Sequence, residues 1–189
     1  MAAPPAPVLL VVDMIGLFDF PTAPRLAPSA VRAARRIRAL RDDFRKRDWP
    51  VVYANDNFAR WQSDFRELGA MASAIEGAPR EIAALLEPGP DDHYVLKPKH
   101  SAFQSTALPV LLAKLGVRRV VLAGMALESC ILATAIDGNA REFEVAVARE
   151  AVAGLPELRQ ATFKVLEGSK AARVLAIGDV AAWCRRAAR

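Results

Sequence analysis

The sequence predicts an α/β fold with a single doubly wound, mostly parallel six-stranded sheet and helices on both faces. Short apolar runs alternate with segments of helical periodicity along the whole chain, which is the pattern of a parallel sheet covered by helices. A chain of 189 residues, 53% of them hydrophobic, can bury one sizeable core but is short for two. We therefore expect one domain over residues 1–189, with its core at about residues 8–180.

Six apolar runs are the predicted strands. They are short, rich in valine, leucine and alanine, and separated by segments long enough for a helix each, as expected for buried strands. The sixth run is weaker than the others. In chain order they are Val8–Val12, Val51–Ala54, Tyr94–Leu96, Val120–Ala123, Val145–Ala148 and Val174–Ile177.

Helical periodicity fills the segments between these strands. Ser29 can cap a helix whose apolar residues share one stripe as far as Phe44. Leucines from Leu108 to Leu115 repeat at helical spacing, and Gly116 is placed to end that helix. We expect the long connection from residue 57 to residue 90 to help cover the ligand site. Further helices are predicted across residues 64–75, 79–87, 128–141, 156–167 and 179–186.

Composition argues against several classes of partner. The 26 basic and 21 acidic residues give a net charge of +5, but they are interleaved along helix faces, so we expect no nucleic-acid partner. No apolar run approaches the roughly 20 residues that span a bilayer, and no basic leader precedes the first strand, so we expect a cytoplasmic protein without a membrane partner. Cys130 and Cys184 are expected to be reduced in that compartment.

An acid, a base and a thiol follow the predicted strands. Asp13, Asp56 and Lys97 come directly or closely after the first three strands, and Gly124 to Cys130 follow the fourth. Because ligands bind beyond the carboxyl ends of the strands in open α/β sheets, we expect these groups to converge on one edge. A carboxylate can take the thiol proton and later activate water, while a cation favours the thiolate. Near a helix start, the pKa of Cys130 is predicted to fall below about 8.5.

Other catalytic devices have less support. No G-x-G-x-x-G or Walker-type loop is present, and no G-x-S-x-G elbow occurs. Only His93 and His100 could serve a Cys–His or Ser–His–Asp device, and His93 lies at the start of its strand. A redox role for Cys130 lacks a nearby resolving cysteine unless Cys184 folds back. A histidine-rich metal site is not available, and we expect no cofactor.

Four motifs occur in order over roughly residues 8–180: Leu9-Leu10-Val11-Val12-Asp13-Met14 with Phe18, Lys97-Pro98-Lys99-His100-Ser101-Ala102-Phe103 with Thr106 and Leu108, Gly124-Met125-Ala126-Leu127-Glu128-Ser129-Cys130-Ile131, and Ala135-Ile136-Asp137 with Glu150-Ala151-Val152-Ala153. Together they resemble the isochorismatase-like cysteine hydrolases, the superfamily of nicotinamidases, N-carbamoylsarcosine amidase, ureidoacrylate amidohydrolase and isochorismatase. The resemblance implies that Asp13 is the general base, Lys97 rather than Lys99 the catalytic lysine, and Cys130 the nucleophile. His100 stands where the family frequently has tyrosine.

The resemblance also implies details of the site. A cis peptide at Met125–Ala126 would aim the amides of Ala126 and Cys130 inward as an oxyanion hole. Members of the superfamily are usually dimers or tetramers, so a homodimer or homotetramer is expected. Metal-dependent nicotinamidases carry histidines after the second strand that this chain lacks, so we expect no metal. Asp56 is expected to hydrogen-bond within its loop or to bind substrate.

These observations predict a hydrolase that cleaves a C–N bond of a small amide, ureido or carbamoyl compound through a thioester, with an Asp13–Lys97–Cys130 triad. An isochorismatase-type vinyl-ether hydrolase, which would not need the thiol, and a non-catalytic binding member of the same fold are the alternatives. A flat or apolar small-molecule substrate is expected, with core packing as the alternative for each aromatic. The candidate substrate-binding residues are Phe18, Phe20, Asn57, Trp61, Phe103 and Leu127.

Overall fold

Strands and helices alternate along the chain in the computed structural model, which describes residues 6–57 and 64–186. The strands are β1 (Pro7–Val12), β2 (Val51–Asp56), β3 (His93–Lys97), β4 (Arg119–Gly124), β5 (Glu144–Val152) and β6 (Arg173–Leu175). The helices are α1 (Ala23–Arg45), α2 (Phe65–Ala74), α3 (Ala78–Leu85), α4 (Leu108–Lys114), α5 (Leu132–Ala140), α6 (Pro156–Gly168) and α7 (Ile177–Cys184). One turn of π-helix, Leu127–Ile131, leads directly into α5.

The six strands form one parallel sheet in the order β3-β2-β1-β4-β5-β6. This confirms the predicted doubly wound α/β fold. The chain builds outward from β1 to β3, then returns to the other side of β1 with β4. Crevices open between strands where the order reverses in this way, so the carboxyl ends of β1 and β4 mark the expected ligand site.

Helices cover both faces of the sheet because alternate strand residues point to opposite sides. On β1, Leu9 and Val11 pack with residues of α1, α2, α3 and α7. Val8, Leu10 and Val12 pack on the other face with residues of α4, α5 and α6. Burial of these two apolar layers is the main favourable contribution to folding.

Several element ends differ from the sequence prediction, among them those of α1, β5 and β6. Helix α1 begins at Ala23, so Ser29 lies inside it and its hydroxyl donates to the Leu26 carbonyl instead of capping the helix. Pro24 lies in the first turn of α1, where a missing backbone N–H costs nothing because the first amides have no helical partner. The helix can therefore begin before the predicted cap. Strand β5 continues to Val152, and β6 ends at Leu175 because Ile177 already begins α7.

In the described part of the chain, no helix is long and apolar enough to cross a membrane.

Candidate active site

Four side chains meet at the carboxyl edge of the sheet. Asp13 follows β1, Asp56 ends β2 and Lys97 ends β3, while Cys130 lies in the π-helical turn after β4. Because all these strands are parallel, their ends share one edge. The predicted acid, base and thiol are therefore neighbours in space, at the point where the strand order reverses.

Lys97 is the centre of this group. Its side chain is 0% exposed, and Nζ lies 2.8 Å from Asp13 Oδ2 and 3.7 Å from Asp56 Oδ2. Nζ also donates to the Lys99 carbonyl at 3.1 Å and contacts Cys130 Sγ at 3.5 Å. Burial by itself would lower the pKa of Lys97, but attraction to Asp13, Cys130 and Asp56 outweighs it and raises the pKa. Lys97 is thus a fixed buried cation.

Asp13 is held in a defined orientation beside Lys97. Its backbone is in the left-handed region with φ of 51°, a conformation that residues other than glycine adopt infrequently. One carboxylate oxygen accepts from the Asp56 amide at 2.7 Å, and the other pairs with Lys97. Burial raises the pKa of Asp13, although Lys97 opposes the shift. This carboxylate is more basic than an exposed aspartate and is able to accept a proton.

The Cys130 thiol is half-buried, and its surroundings raise its pKa, which is opposite to the predicted direction. Burial, followed by the negative charge of Asp13, raises the pKa of Cys130 to about 12, while Lys97 acts in the opposite direction. The sequence argument counted the helix start and Lys97 but not the cost of placing a thiolate next to a buried carboxylate. The nearby Asp13 carboxylate instead favours the protonated thiol.

The close approach of β4 to β1 places the π-helical turn that carries Cys130 beside Asp13 and Lys97. Gly124 has a φ of +120°, and a Cβ at this position would lie 2.0 Å from the Val12 carbonyl oxygen. The Met125 amide donates to that same oxygen at 2.9 Å. Only glycine fits here without moving one of the two strands, so Gly124 fixes where the turn carrying Cys130 begins.

The backbone of the turn is organised around a cis peptide at Met125–Ala126. The amides of Ser129 and Ile131 both donate to the Ala126 carbonyl at 3.1 Å, and the Leu127 amide donates to the carbonyl of Ala153 at 2.8 Å. The amides of Ala126 and Cys130, the predicted oxyanion hole, are not among these bonded donors.

The loop after Lys97 is fastened to the helix after Cys130. The hydroxyl of Ser101 donates to Asp137 Oδ2 at 2.7 Å, and the Ala102 amide donates to Thr134 Oγ1 at 3.0 Å. Asp137 and Thr134 both lie on α5. These bonds hold the lysine and the thiol in a constant relative position.

The candidate substrate-binding residues that the structure describes differ in their exposure. Phe18 and Phe20 are half-buried, with their ring centroids 5.8 Å apart. Asn57 is buried, and its amide donates to the Lys97 carbonyl at 3.2 Å. Trp61 lies outside the described residues.

Phe103 and Leu127 are core residues in this structure and not pocket residues. Leu127 is 0% exposed, and Phe103 is 2% exposed with its ring stacked on Phe143 at 5.5 Å. Both belong to the apolar layer under α4, α5 and α6. Both residues lie in motifs that resemble those of the family, but their side chains point into the core and leave almost no surface for a ligand to contact.

Two polar residues have contacts that the sequence argument did not foresee. Asp56 supports the triad in two ways: its backbone amide donates a hydrogen bond to the Asp13 carboxylate, and its own carboxylate lies near Lys97. The exposed His100 places Nδ1 3.7 Å from Cys130 Sγ and 3.2 Å from Ser129 Oγ. In the sequence, the position of His100 three residues after Lys97, within the same motif, could have indicated that it lies near the thiol.

Family and sequence comparisons show which known proteins the chain is similar to. The Isochorismatase domain family model matches residues 7–178. An uncharacterised isochorismatase family protein of Bacillus subtilis, YaaI, is 34% identical over 145 residues, which are 77% of this chain and 79% of that protein. The maleamate amidohydrolase of Pseudomonas putida is 34% identical over 154 residues, which are 77% of this chain and 71% of that enzyme.

Structural comparison gives the same fold. The crystal structure of an isochorismatase family protein from Desulfovibrio vulgaris matches 97% of this chain and 100% of that chain, with a TM-score of 0.78 and 21% sequence identity. The family model covers most of the chain, and the two relatives are similar over most of their length. This chain therefore belongs to the isochorismatase family and is a hydrolase.

Proposed function

We propose that this hydrolase cleaves a C–N bond in a small, non-peptide amide, ureido or carbamoyl compound through a thioester on Cys130. The observation that carries the proposal is the buried Lys97 ammonium, 2.8 Å from the Asp13 carboxylate and 3.5 Å from the Cys130 sulfur. A base, a cation and a nucleophile in mutual contact are what acyl transfer requires. The similarity to a maleamate amidohydrolase supports an amide substrate.

Acylation begins with proton transfer from the thiol to Asp13. The raised pKa of the Asp13 carboxyl makes it a better base, and because the pKa of the thiol is raised as well, we place the transfer at the moment the sulfur attacks the carbonyl carbon. A C–S bond forms while the carbonyl π bond opens to an oxyanion. The amides of Ala126 and Cys130 are proposed to hold that oxyanion, since preorganised donors stabilise such charge strongly. Lys97 stabilises the thiolate as it forms.

Collapse of the intermediate breaks the C–N bond. Asp13 returns its proton to the leaving nitrogen, which departs as ammonia or an amine and leaves a thioester on Cys130. Asp13 then takes a proton from a water molecule that attacks the thioester carbon. When the C–S bond breaks, the acid product leaves, and Asp13 gives its proton back to the sulfur. One carboxylate thus carries every proton of the cycle.

The proposed reaction uses no metal ion. In the two described ranges, no group of three or more histidine, cysteine, aspartate or glutamate side chains is arranged to hold a metal. Asp56 adds a carboxylate near the triad, and it faces the Lys97 ammonium. We expect activity to survive dialysis against a chelator, and loss of activity that returns with zinc, iron or manganese would contradict this.

An ammonia-release screen tests the proposal. The purified protein is assayed with primary amides, carbamoyl compounds and hydantoin-derived ureides. We expect turnover that falls to background in both Cys130→Ala and Asp13→Asn, because the first removes the nucleophile and the second its base. Cys184→Ala is the matched control, since Cys184 is buried in α7 away from the triad.

The same variants separate the two candidate chemistries. A vinyl-ether hydrolase would need only an acid at Asp13, so Cys130→Ala would retain substantial activity on such a substrate. Substantial turnover of the amide by Cys130→Ala would contradict the proposed thioester mechanism. A protein that releases no ammonia from any member of the panel would contradict the amidase assignment for those compound classes.

A further inference from the structure

An exposed imidazole contacts the proposed nucleophile. His100 Nδ1 lies 3.7 Å from Cys130 Sγ, within contact distance for a hydrogen bond to sulfur. The same nitrogen is 3.2 Å from the Ser129 hydroxyl. The sulfur is therefore touched by two nitrogen groups of different kinds, the buried ammonium of Lys97 and the exposed imidazole of His100.

The position of the imidazole is set by the same bonds that position the triad. Ser101, the next residue, is hydrogen-bonded to Asp137, and Ala102 is hydrogen-bonded to Thr134. Both acceptors lie on α5, which begins two residues after Cys130. The backbone that carries His100 is thus fastened to the helix that continues from the thiol. The contact joins two parts of one rigid unit.

The Lys97 ammonium is surrounded by more hydrogen-bond acceptors than it has N–H groups to donate. Its ammonium carries three N–H groups, yet the Asp13 and Asp56 carboxylates, the Lys99 carbonyl and the Cys130 sulfur all lie within 3.7 Å of Nζ. The two shortest contacts, at 2.8 and 3.1 Å, go to oxygens of Asp13 and Lys99. A thiolate at Cys130 must therefore share its cation with these oxygens, and the Ser129 hydroxyl, 3.9 Å from the sulfur, and the His100 imidazole are the further donors within its reach.

We propose that His100 is a further catalytic residue, whose Nδ1–H donates a hydrogen bond to the Cys130 sulfur whenever that sulfur is negatively charged. A thiolate accepts only, whereas the Ser129 hydroxyl can donate or accept, so a charged sulfur selects the Nδ1–H form of the imidazole. The sulfur carries charge twice in the cycle, at attack and when the thioester breaks. His100 moves no proton, and all proton transfers stay with Asp13. This inference rests on the proposed nucleophilic role of Cys130.

Three variants separate hydrogen-bond donation from packing. His100→Phe keeps a ring but removes the donor, and His100→Gln keeps a donor of the same reach. His93→Phe is the matched control, because His93 begins β3 whereas His100 follows the end of that strand. The readout is the rate at which iodoacetamide alkylates Cys130 at one fixed pH, followed by peptide mass. Cys184 in the same sample is the internal reference.

We expect wild type to react faster at half-buried Cys130 than at buried Cys184. Alkylation of Cys130 should slow about tenfold in His100→Phe, since a hydrogen bond to a charged group is lost, and stay within about threefold of wild type in His100→Gln. His93→Phe should match wild type. A variant that failed to fold would reveal itself by faster alkylation of Cys184, and the comparison is then made with His100→Ala.

The outcomes distinguish the two hypotheses. Equal Cys130 rates in wild type, His100→Phe and His100→Ala would overturn the role of His100 and leave the proposed function in place. Equal slowing in His100→Phe and His100→Gln would also overturn it, because the donor would then be irrelevant. Equal alkylation of Cys130 and Cys184 in wild type would contradict the nucleophile itself, and both proposals would fall.

Discussion

Asp13 acts on the thiol in two opposed ways at the scale of single residues. Burial is the largest cause, and the charge of Asp13 the second, of the rise in the pKa of Cys130 to about 12 in the resting site. The same carboxylate is the base that removes the thiol proton in the proposed reaction. In the proposed reaction, the raised pKa therefore favours a protonated thiol at rest, and the thiolate forms only as Asp13 takes the proton.

Replacing Asp13 by asparagine should separate these two effects. Removal of the negative charge should lower the pKa of Cys130, so alkylation near pH 9 should become faster than in wild type. Turnover should nevertheless fall about 100-fold or more, because general-base assistance is lost. The measurement is the pH dependence of iodoacetamide alkylation beside the ammonia-release assay.

The exposed aspartate Asp19 offers the control for this experiment. Asp19→Asn removes the same charge from the same region of the chain without touching the triad, and it should change neither the alkylation profile nor turnover. A pKa of Cys130 that is unchanged or higher in Asp13→Asn would contradict the electrostatic account.

Sequence reasoning predicted which side chains meet at the sheet edge better than it predicted the pKa of the thiol. Asp13, Lys97 and Cys130 were identified because reactive groups after parallel strands must share an edge, and the structure brings the other two within 3.5 Å of Lys97. The pKa of the thiol and the contact of His100 were not predictable. Both depend on distances between residues far apart in the chain, which periodicity and spacing do not reveal.

At the scale of elements, the junction between β4 and the π-helical turn determines where Cys130 lies. Gly124 combines a positive φ with a close approach to Val12. The next residues form the cis peptide and bond to the loop after β5. The geometry of the turn thus depends on β1 and β5 as well as on its own sequence.

Gly124→Ala should be strongly destabilising. The new Cβ would meet the Val12 carbonyl oxygen at 2.0 Å, and the φ of +120° is unfavourable for alanine. We expect the free energy of unfolding, measured with urea, to fall by at least about 2 kcal/mol. Gly168→Ala is the control, because nothing lies within 4 Å of its Cβ position at the end of α6. It should be neutral or stabilising by up to about 1 kcal/mol, and equal losses in both variants would contradict this account.

Elements were predictable where an apolar run had clear ends. Residues 51–54 and 120–123 were placed correctly within β2 and β4, since valine and alanine runs buried on both faces have few other uses. The start of α1 was misplaced because a serine is a common cap, whereas Thr22 precedes the helix here. The end of β6 was misplaced because an apolar residue such as Ile177 fits a strand or a helix equally well.

At the scale of the whole molecule, strand order creates the site. Lys97 reaches Asp13 across β2, and Cys130 reaches it from β4 on the other side, since the order is β3-β2-β1-β4. The doubly wound class was predictable from alternation of strands and helices. The order of strands was not, because a list of apolar runs does not say which neighbours pair. A homodimer or homotetramer stays a prediction, which sedimentation analysis would test.

Cys184 should make the free energy of unfolding fall under alkaline conditions. Burial raises the pKa of Cys184 from 9.0 to about 12. Its contribution to stability is therefore complete below pH 9 and is lost as the pH rises from 9 toward 12, because the unfolded chain releases the thiol proton first. In urea titrations at pH 8 and pH 10, the free energy of unfolding should fall less for Cys184→Ala than for wild type. Parallel falls would show that Cys184 titrates normally in the folded protein.

Detection of an acyl-enzyme tests the central claim most directly. The protein is mixed with the amide that turns over fastest in the ammonia screen, quenched in acid within the first turnovers, and digested for peptide mass analysis. The thioester mechanism predicts that the peptide carrying Cys130 gains the mass of the acyl group, and that Cys184→Ala shows the same adduct. Turnover by Cys130→Ala at the wild-type rate, or an acyl group carried by any other residue, would contradict it.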